Sequence, residues 1–192
     1  MQADFAVELG CDDETLEFPW MDPEGKVQWC DLKAQPELLD RIPEAAQFPE
    51  LREFLMAVNS PGSILESAKC DAWATTDIHP EEEVFGQFNK FGGYIDLVFE
   101  ASAARFSFTD HESLLKEWTV LLNCASEIPA SAEFLLRRCY FHEGEDTREG
   151  FYVTLYIFGY GSDQTKARQQ WGIALKLAAN AMSQLSSQLP SW

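Results

Sequence analysis

Two glutamates, Glu66 and Glu100, stand in strand-like runs, with Trp73 and Tyr94 between them and Tyr152 and Tyr156 in a later strand-like run. Carboxylates at the rim of an aromatic cavity suit an amphipathic cation, because ring faces attract positive charge and a carboxylate anchors it. These six residues form the candidate ligand-binding set. The two carboxylates, if brought together in a cleft, would also supply the pair that a carboxylate-dependent enzyme needs.

Other chemistry is less well supplied. His79 lies beside Glu81, Glu82 and Glu83. Imidazole and carboxylates bind transition metals, but adjacent loop residues seldom converge on one ion, and no second histidine has ligand spacing. His111 follows Asp110 in Thr109-Asp110-His111-Glu112. The Thr-x-x-Glu spacing is that of a capping box, so His111 reads as an exposed residue of a helix's first turn. His142 precedes Glu143 at a strand end, and the three histidines fall on different elements. Gly159-Tyr160-Gly161-Ser162 precedes a helix but lacks both phosphate-loop spacings, and Ser162 or Asp163 serves as its N-cap. Five cysteines (Cys11, Cys30, Cys70, Cys124 and Cys139) include no C-x-x-C pair and read as reduced thiols, several of them packed in the core. No cofactor or metal is implied.

The elements that position these residues follow from periodicity. Residues 4–9, 14–18 and 26–32 alternate as strands and suggest an N-terminal meander. Residues 36–58 are helical in two pieces, interrupted at Pro43 and Pro49. Residues 63–76, 92–101 and 104–108 read as strands, with a polar loop from Asp77 to Glu83 between the first two. A helix follows with Leu114, Leu115, Trp118, Leu121 and Leu122 on one stripe. Residues 132–142 and 150–158 form a hairpin joined by residues 143–149. Its second strand is apolar or aromatic on both faces, as a central strand covered on both sides would be. The closing helix, 163–188, carries the seam Trp171, Leu175, Ala178, Met182, Leu185 and Leu189, and Pro190 ends it.

This order contains a possible duplication, with pseudo-repeat units 26–101 and 104–158, each a β-α-β-β module, followed by the closing helix. Pro61-Gly62-Ser63 echoes Pro129-Ala130-Ser131, and Gly92-Gly93-Tyr94-Ile95-Asp96-Leu97 echoes Gly150-Phe151-Tyr152-Val153-Thr154-Leu155. The arrangement resembles that of GyrI-like and SOUL-type ligand-binding domains. That resemblance is one of topology and implies a cleft between two halves that takes amphipathic or cationic molecules. It carries no individual residues across.

The fold class expected is α+β in one domain over residues 1–192: a mainly antiparallel sheet, helices packed on one face, and a C-terminal helix. The chain has 32 acidic and 14 basic residues, a net charge of −18, and most of the excess lies in the first hundred residues. A field of that sign repels phosphate backbones and anionic membrane surfaces, so neither nucleic acid nor membrane is an expected partner. It attracts a basic protein or a cationic small molecule. The N-terminus lacks the basic start and apolar run of a signal peptide. No uninterrupted apolar run reaches the roughly 18 residues of a membrane span. The expectation is a cytoplasmic binding or interaction protein rather than an enzyme, its acidic N-terminal half meeting a basic protein. The alternatives are a sensor-like domain with an aromatic, acidic cleft and a carboxylate-dependent enzyme.

Overall fold

In a computed structural model, which describes residues 1–79, 82, 85–125 and 127–188, the alternating segments become one mixed sheet. The strands are β1 (Gln2–Glu8), β2 (Thr15–Phe18), β3 (Leu65–Thr75), β4 (Asn89–Phe99), β5 (Ala130–Glu143) and β6 (Asp146–Gly161). Their spatial order is β1-β5-β6-β4-β3, and β2 continues along β5 beyond β1. β3, β4, β6 and β5 pair antiparallel, whereas β1 and β2 both run parallel to β5. The class is α+β, as expected.

The helices are α1 (Pro43–Gln47), α2 (Pro49–Val58), α3 (Ser102–Arg105), α4 (Phe108–Asn123) and α5 (Gln164–Gln188). A 3-10 turn over Pro36–Arg41 precedes α1. Pro36, Pro43 and Pro49 each open an element, where a missing N–H costs nothing. Leu51, Phe54, Leu55 and Val58 of α2, Leu114, Leu115, Trp118 and Leu122 of α4, and Trp171, Leu175, Ala178, Met182 and Leu185 of α5 are buried in one core with Ile95, Leu97, Phe134, Val153, Leu155 and Ile157 of the sheet. Each such large apolar side chain contributes roughly 2–3 kcal/mol. The seam of α5 thus packs on β6 and β4, while Leu189 and Pro190 lie outside the described residues. Trp118, deep in this core, donates its indole N–H to the Ala178 carbonyl at 3.1 Å.

Several local expectations are corrected. Residues 26–32 form no strand. Asp22 accepts from the amides of Lys26 and Val27, Gly25 has φ of 69°, and only the bridge Met21–Gln28 resembles pairing. The turn chemistry of Asp22-Pro23-Glu24-Gly25 therefore consumes the segment. No meander forms at the N-terminus either, because β1 and β2 join β5 instead of each other. Residues 104–108 are not a strand: Ala104 and Arg105 end α3, and Phe108 begins α4. The N-cap of α4 is Ser107, whose hydroxyl accepts from the Asp110 amide at 3.2 Å, so no Thr109–Glu112 capping box exists. Both proposed repeat units lose their leading strand and become helix–strand–strand. The β5–β6 turn closes at Glu143 opposite Asp146, with Gly144 at φ 68°, so the strands extend through the expected loop.

The sheet edges are finished by side chains. On β1, Asn123 donates to the Ala3 carbonyl at 2.7 Å and accepts from its amide at 2.9 Å. On β3, Asn59 accepts from the Ser67 amide, Trp29 donates to the Ser67 carbonyl, and Gln164 donates to the Thr75 carbonyl.

His111 is buried, not exposed. Its ring packs edge-on against Phe99 and Phe151, and Nδ1 donates to the Ser107 carbonyl at 2.8 Å. One helical turn from the cap, its position faces inward between α4 and the sheet. Burial holds its pKa below the ordinary histidine value. As pH falls through about 6.5 the unfolded chain takes up a proton that the folded chain refuses, so stability is full above that pH and declines below it. His111→Leu should flatten the fall in urea midpoint between pH 7 and pH 5. An unchanged slope would show that His111 is protonated in the folded state.

Candidate functional site

Sheet register decides which side chains share the face opposite the helices. One row across it reads Trp73 (β3), Gly92 (β4), Phe158 (β6), Ser131 (β5) and Gln2 (β1). The next reads Asp71, Tyr94, Tyr156, Glu133 and Asp4, and the third Lys69, Asp96, Thr154, Leu135 and Ala6. Residues two apart on a strand return to the same face, so the rows stack.

Four rings of the first two rows form a closed panel. Trp73 lies 6.4 Å from Tyr94 and 6.3 Å from Phe158, and Tyr156 lies 5.9 Å from Tyr94 and 6.4 Å from Phe158. All four are half-buried. Gly92 makes the panel flat. A Cβ there would stand 2.1 Å from the Phe158 ring, so the ring lies on bare backbone. Two lysines touch the panel from its sides: Lys90 is 4.0 Å from the Phe158 ring centre and Lys69 is 5.5 Å from that of Tyr94.

Beside the panel opens a pocket of about 540 Å³. Its aromatic walls are Phe85, Phe158 and Tyr160, and Phe85 stacks on Tyr160 at 4.4 Å. Tyr160 donates to Glu82 at 2.6 Å and meets the Ser131 hydroxyl at 2.9 Å, while Glu82 is ion-paired with the buried Lys90 at 2.6 Å. These partners hold Glu82 below the usual carboxylate range despite burial. Two further carboxylates in the pocket are handled differently. Asp4 and Glu133 stand directly opposite each other in the β1–β5 register. Among the described residues neither has an ion-pair partner, nor does Asp71 at the far end of that row. Partial burial, and then the charges of Asp4 and Glu8, push the Glu133 carboxyl up.

The third row holds a buried acid. Asp96 is 4% exposed and accepts from the Thr154 hydroxyl at 2.7 Å; Arg137 reaches that hydroxyl at 3.3 Å and pairs with Glu8 and Glu14. Burial dominates and raises Asp96 to about 6. Beyond this row the face is covered. Leu16, Phe18, Cys139, Phe141 and Tyr152 form a second core under Trp20 and Trp29 of the N-terminal segment.

The structure brings Trp73, Tyr94 and Tyr156 of the predicted set together in the panel. Tyr152 is buried in the covered part. Glu66 is buried at that end and bonded to Arg105 at 2.7 Å, and Glu100 is bonded to Lys33 at 2.8 Å. Each of these glutamates has its own cation. Sequence reasoning missed Phe158, Asp71, Glu133, Asp4 and Asp96. A signal existed for one of them: Gly92-Gly93 opposite a large aromatic is the pattern of a ring lying on glycine.

His79 lines the pocket, whereas Glu81 and Glu83 lie outside the described residues. His142 sits between Thr147 and Glu17. All five cysteines are thiols, but only Cys139 is fully buried; burial pushes Cys70 up to about 12. Asp163 takes the N-cap of α5, accepting from the Lys166 amide at 2.8 Å. A second hollow, about 500 Å³ between α2 and α5, contains Arg168 and Lys176, ion-paired with Glu50 and Glu53. Among the described residues no group of His, Cys, Asp and Glu has metal-site geometry, and no helix is long and apolar enough to cross a membrane.

No family model matches the chain, and neither a curated protein nor a solved structure proved similar to it.

Proposed function

We propose that the protein is a binding module for a cationic, partly apolar small molecule held on the open face of the sheet. The observation that carries this reading is the Asp4–Glu133 pair. Like charges directly opposite in a sheet are destabilising. Here the pair has no ion-pair partner among the described residues and borders a pocket walled by rings. A bound cation would neutralise the two carboxylates while its apolar part covers the panel, and each contribution strengthens as water leaves. The acidic first half of the chain would also attract a basic protein, but that attraction has only net charge behind it. The small molecule has a pocket, an aromatic floor and a placed counter-charge.

Calorimetric titration with benzyltrimethylammonium tests the reading. One saturable site is expected, weakened about tenfold by Glu133→Gln and by Tyr156→Ala. Glu133→Gln should at the same time stabilise the unliganded protein by about 0.5 kcal/mol, by relieving the repulsion. Absence of saturable heat in the wild type, or binding unchanged in both variants, would overturn it.

A further inference from the structure

We infer that the ligand is a linear aliphatic polyamine lying across the strands along the row Asp71–Tyr94–Tyr156–Glu133; the inference rests on the proposed reading of this face as a cation site. The row has a negative group at each end and two rings between. Asp71 on β3 is exposed and stands opposite Tyr94; Glu133 on β5 stands opposite Tyr156, with Asp4 one strand further out. Tyr94 and Tyr156 are neighbours at 5.9 Å, so the middle of the row is a continuous ring surface. Three strand gaps at about 4.8 Å separate the end carboxylates by about 14 Å.

A compact cation can satisfy only one end of such a row. A flexible chain with ammonium groups near its ends satisfies both and lays its methylenes on the tyrosines, where apolar contact is favourable. The flanking cations fix the direction. Lys69 lies over the Tyr94 ring in the next row on one side, and Lys90, bonded to Glu82, lies over Phe158 on the other. Each flanking lysine has an acid of its own, Lys69 opposite Asp96 and Lys90 bonded to Glu82, so among the described residues the carboxylates that an ammonium meets without an ion-pair partner here are those of the row. The Asp71 carboxylate already accepts from the Ala72 amide at 2.7 Å, which orients it and leaves its second oxygen for the ligand.

The test is a calorimetric series with putrescine, spermidine and spermine, set beside benzyltrimethylammonium and trilysine. The expected result is one-to-one binding of spermine, at least tenfold tighter than putrescine. Asp71→Asn should weaken spermine about tenfold and leave benzyltrimethylammonium unchanged. Glu133→Gln should weaken both. Glu145→Gln, which removes an exposed charge at the β5–β6 turn, should weaken neither and so controls for general attraction to an acidic protein. Trilysine as tight as spermine would overturn the polyamine assignment in favour of a basic peptide. Equal loss from Asp71→Asn and Glu145→Gln would overturn it in favour of unspecific charge binding. Either result with benzyltrimethylammonium still bound leaves the cation site standing, whereas loss of all binding removes both.

Discussion

Asp96→Asn should stabilise the protein at pH 7 by roughly 3 kcal/mol, a large effect for one side-chain atom. The ordinary aspartate value is 3.8, and burial lifts Asp96 to about 6. That gap corresponds to roughly 3 kcal/mol. Below pH 3.8 both folded and unfolded chains are protonated at this residue, and its contribution to stability is complete. As pH rises from 3.8 to 6 the unfolded chain gives up its proton first, and stability is lost until the folded group ionises. Above 6 the loss is constant. The difference between variant and wild-type urea midpoints should therefore be near zero at pH 3, open between pH 4 and 6, and remain level beyond. An asparagine keeps an acceptor for the Thr154 hydroxyl, so the hydrogen bond at 2.7 Å survives the change. A variant less stable than wild type at pH 7 would mean that Arg137 and Lys69 hold Asp96 as a true ion-pair partner. A buried acid that lowers stability one row from the ring panel would fit the proposed binding face, because functional surfaces carry such costs.

Gly159→Ala should have the opposite and larger effect. Gly159 is in β6, where α5 turns back onto the sheet. A Cβ there would lie 2.1 Å from the Trp171 amide nitrogen and 2.4 Å from the Ala167 carbonyl oxygen. Both are backbone atoms of a helix and cannot swing aside. The helix would have to lift, separating Trp171 from Phe91, whose ring centre is 4.8 Å away, and from Phe48. Such overpacking costs about 3 kcal/mol or more. In a chain of this length that is a fall of roughly 10 °C in Tm. Gly62→Ala is the control, since nothing lies within 4 Å of the added carbon, and its Tm should stay within a degree or two. Equal Tm values for the two variants would show that α5 tolerates displacement.

The helical periods of α2, α4 and α5 were legible because each is a long apolar stripe, and the central strand β6 because both its faces are apolar. The parallel pairing of β1 and β2 was not legible, because a strand's alternation says nothing about its partner or direction. Residues 104–108 alternate Arg-Phe-Ser-Phe, which fits a strand; Ser107 turns them into a helix entry by bonding to a backbone amide, a choice of local hydrogen bond that periodicity does not register. At the candidate face, aromatic composition pointed to Trp73, Tyr94 and Tyr156. Asp4, Asp71 and Glu133 looked like ordinary solvated acids. Only cross-strand register, bringing together residues more than sixty positions apart, makes them the ends of one row. Glu66 and Glu100 were attractive as unpaired acids, but the cations that neutralise them, Arg105 and Lys33, come from distant segments.

Asn123 offers Ala3 both the donor and the acceptor that a further strand would bring, and Asn59, Trp29 and Gln164 do the same piecemeal for β3. Templated growth of a fibril begins where a row of backbone groups stands open to another chain. On this molecule an incoming chain meets side-chain plugs at Ala3 on one flank and at Ser67 and Thr75 on the other, which hinders polymerisation through the sides.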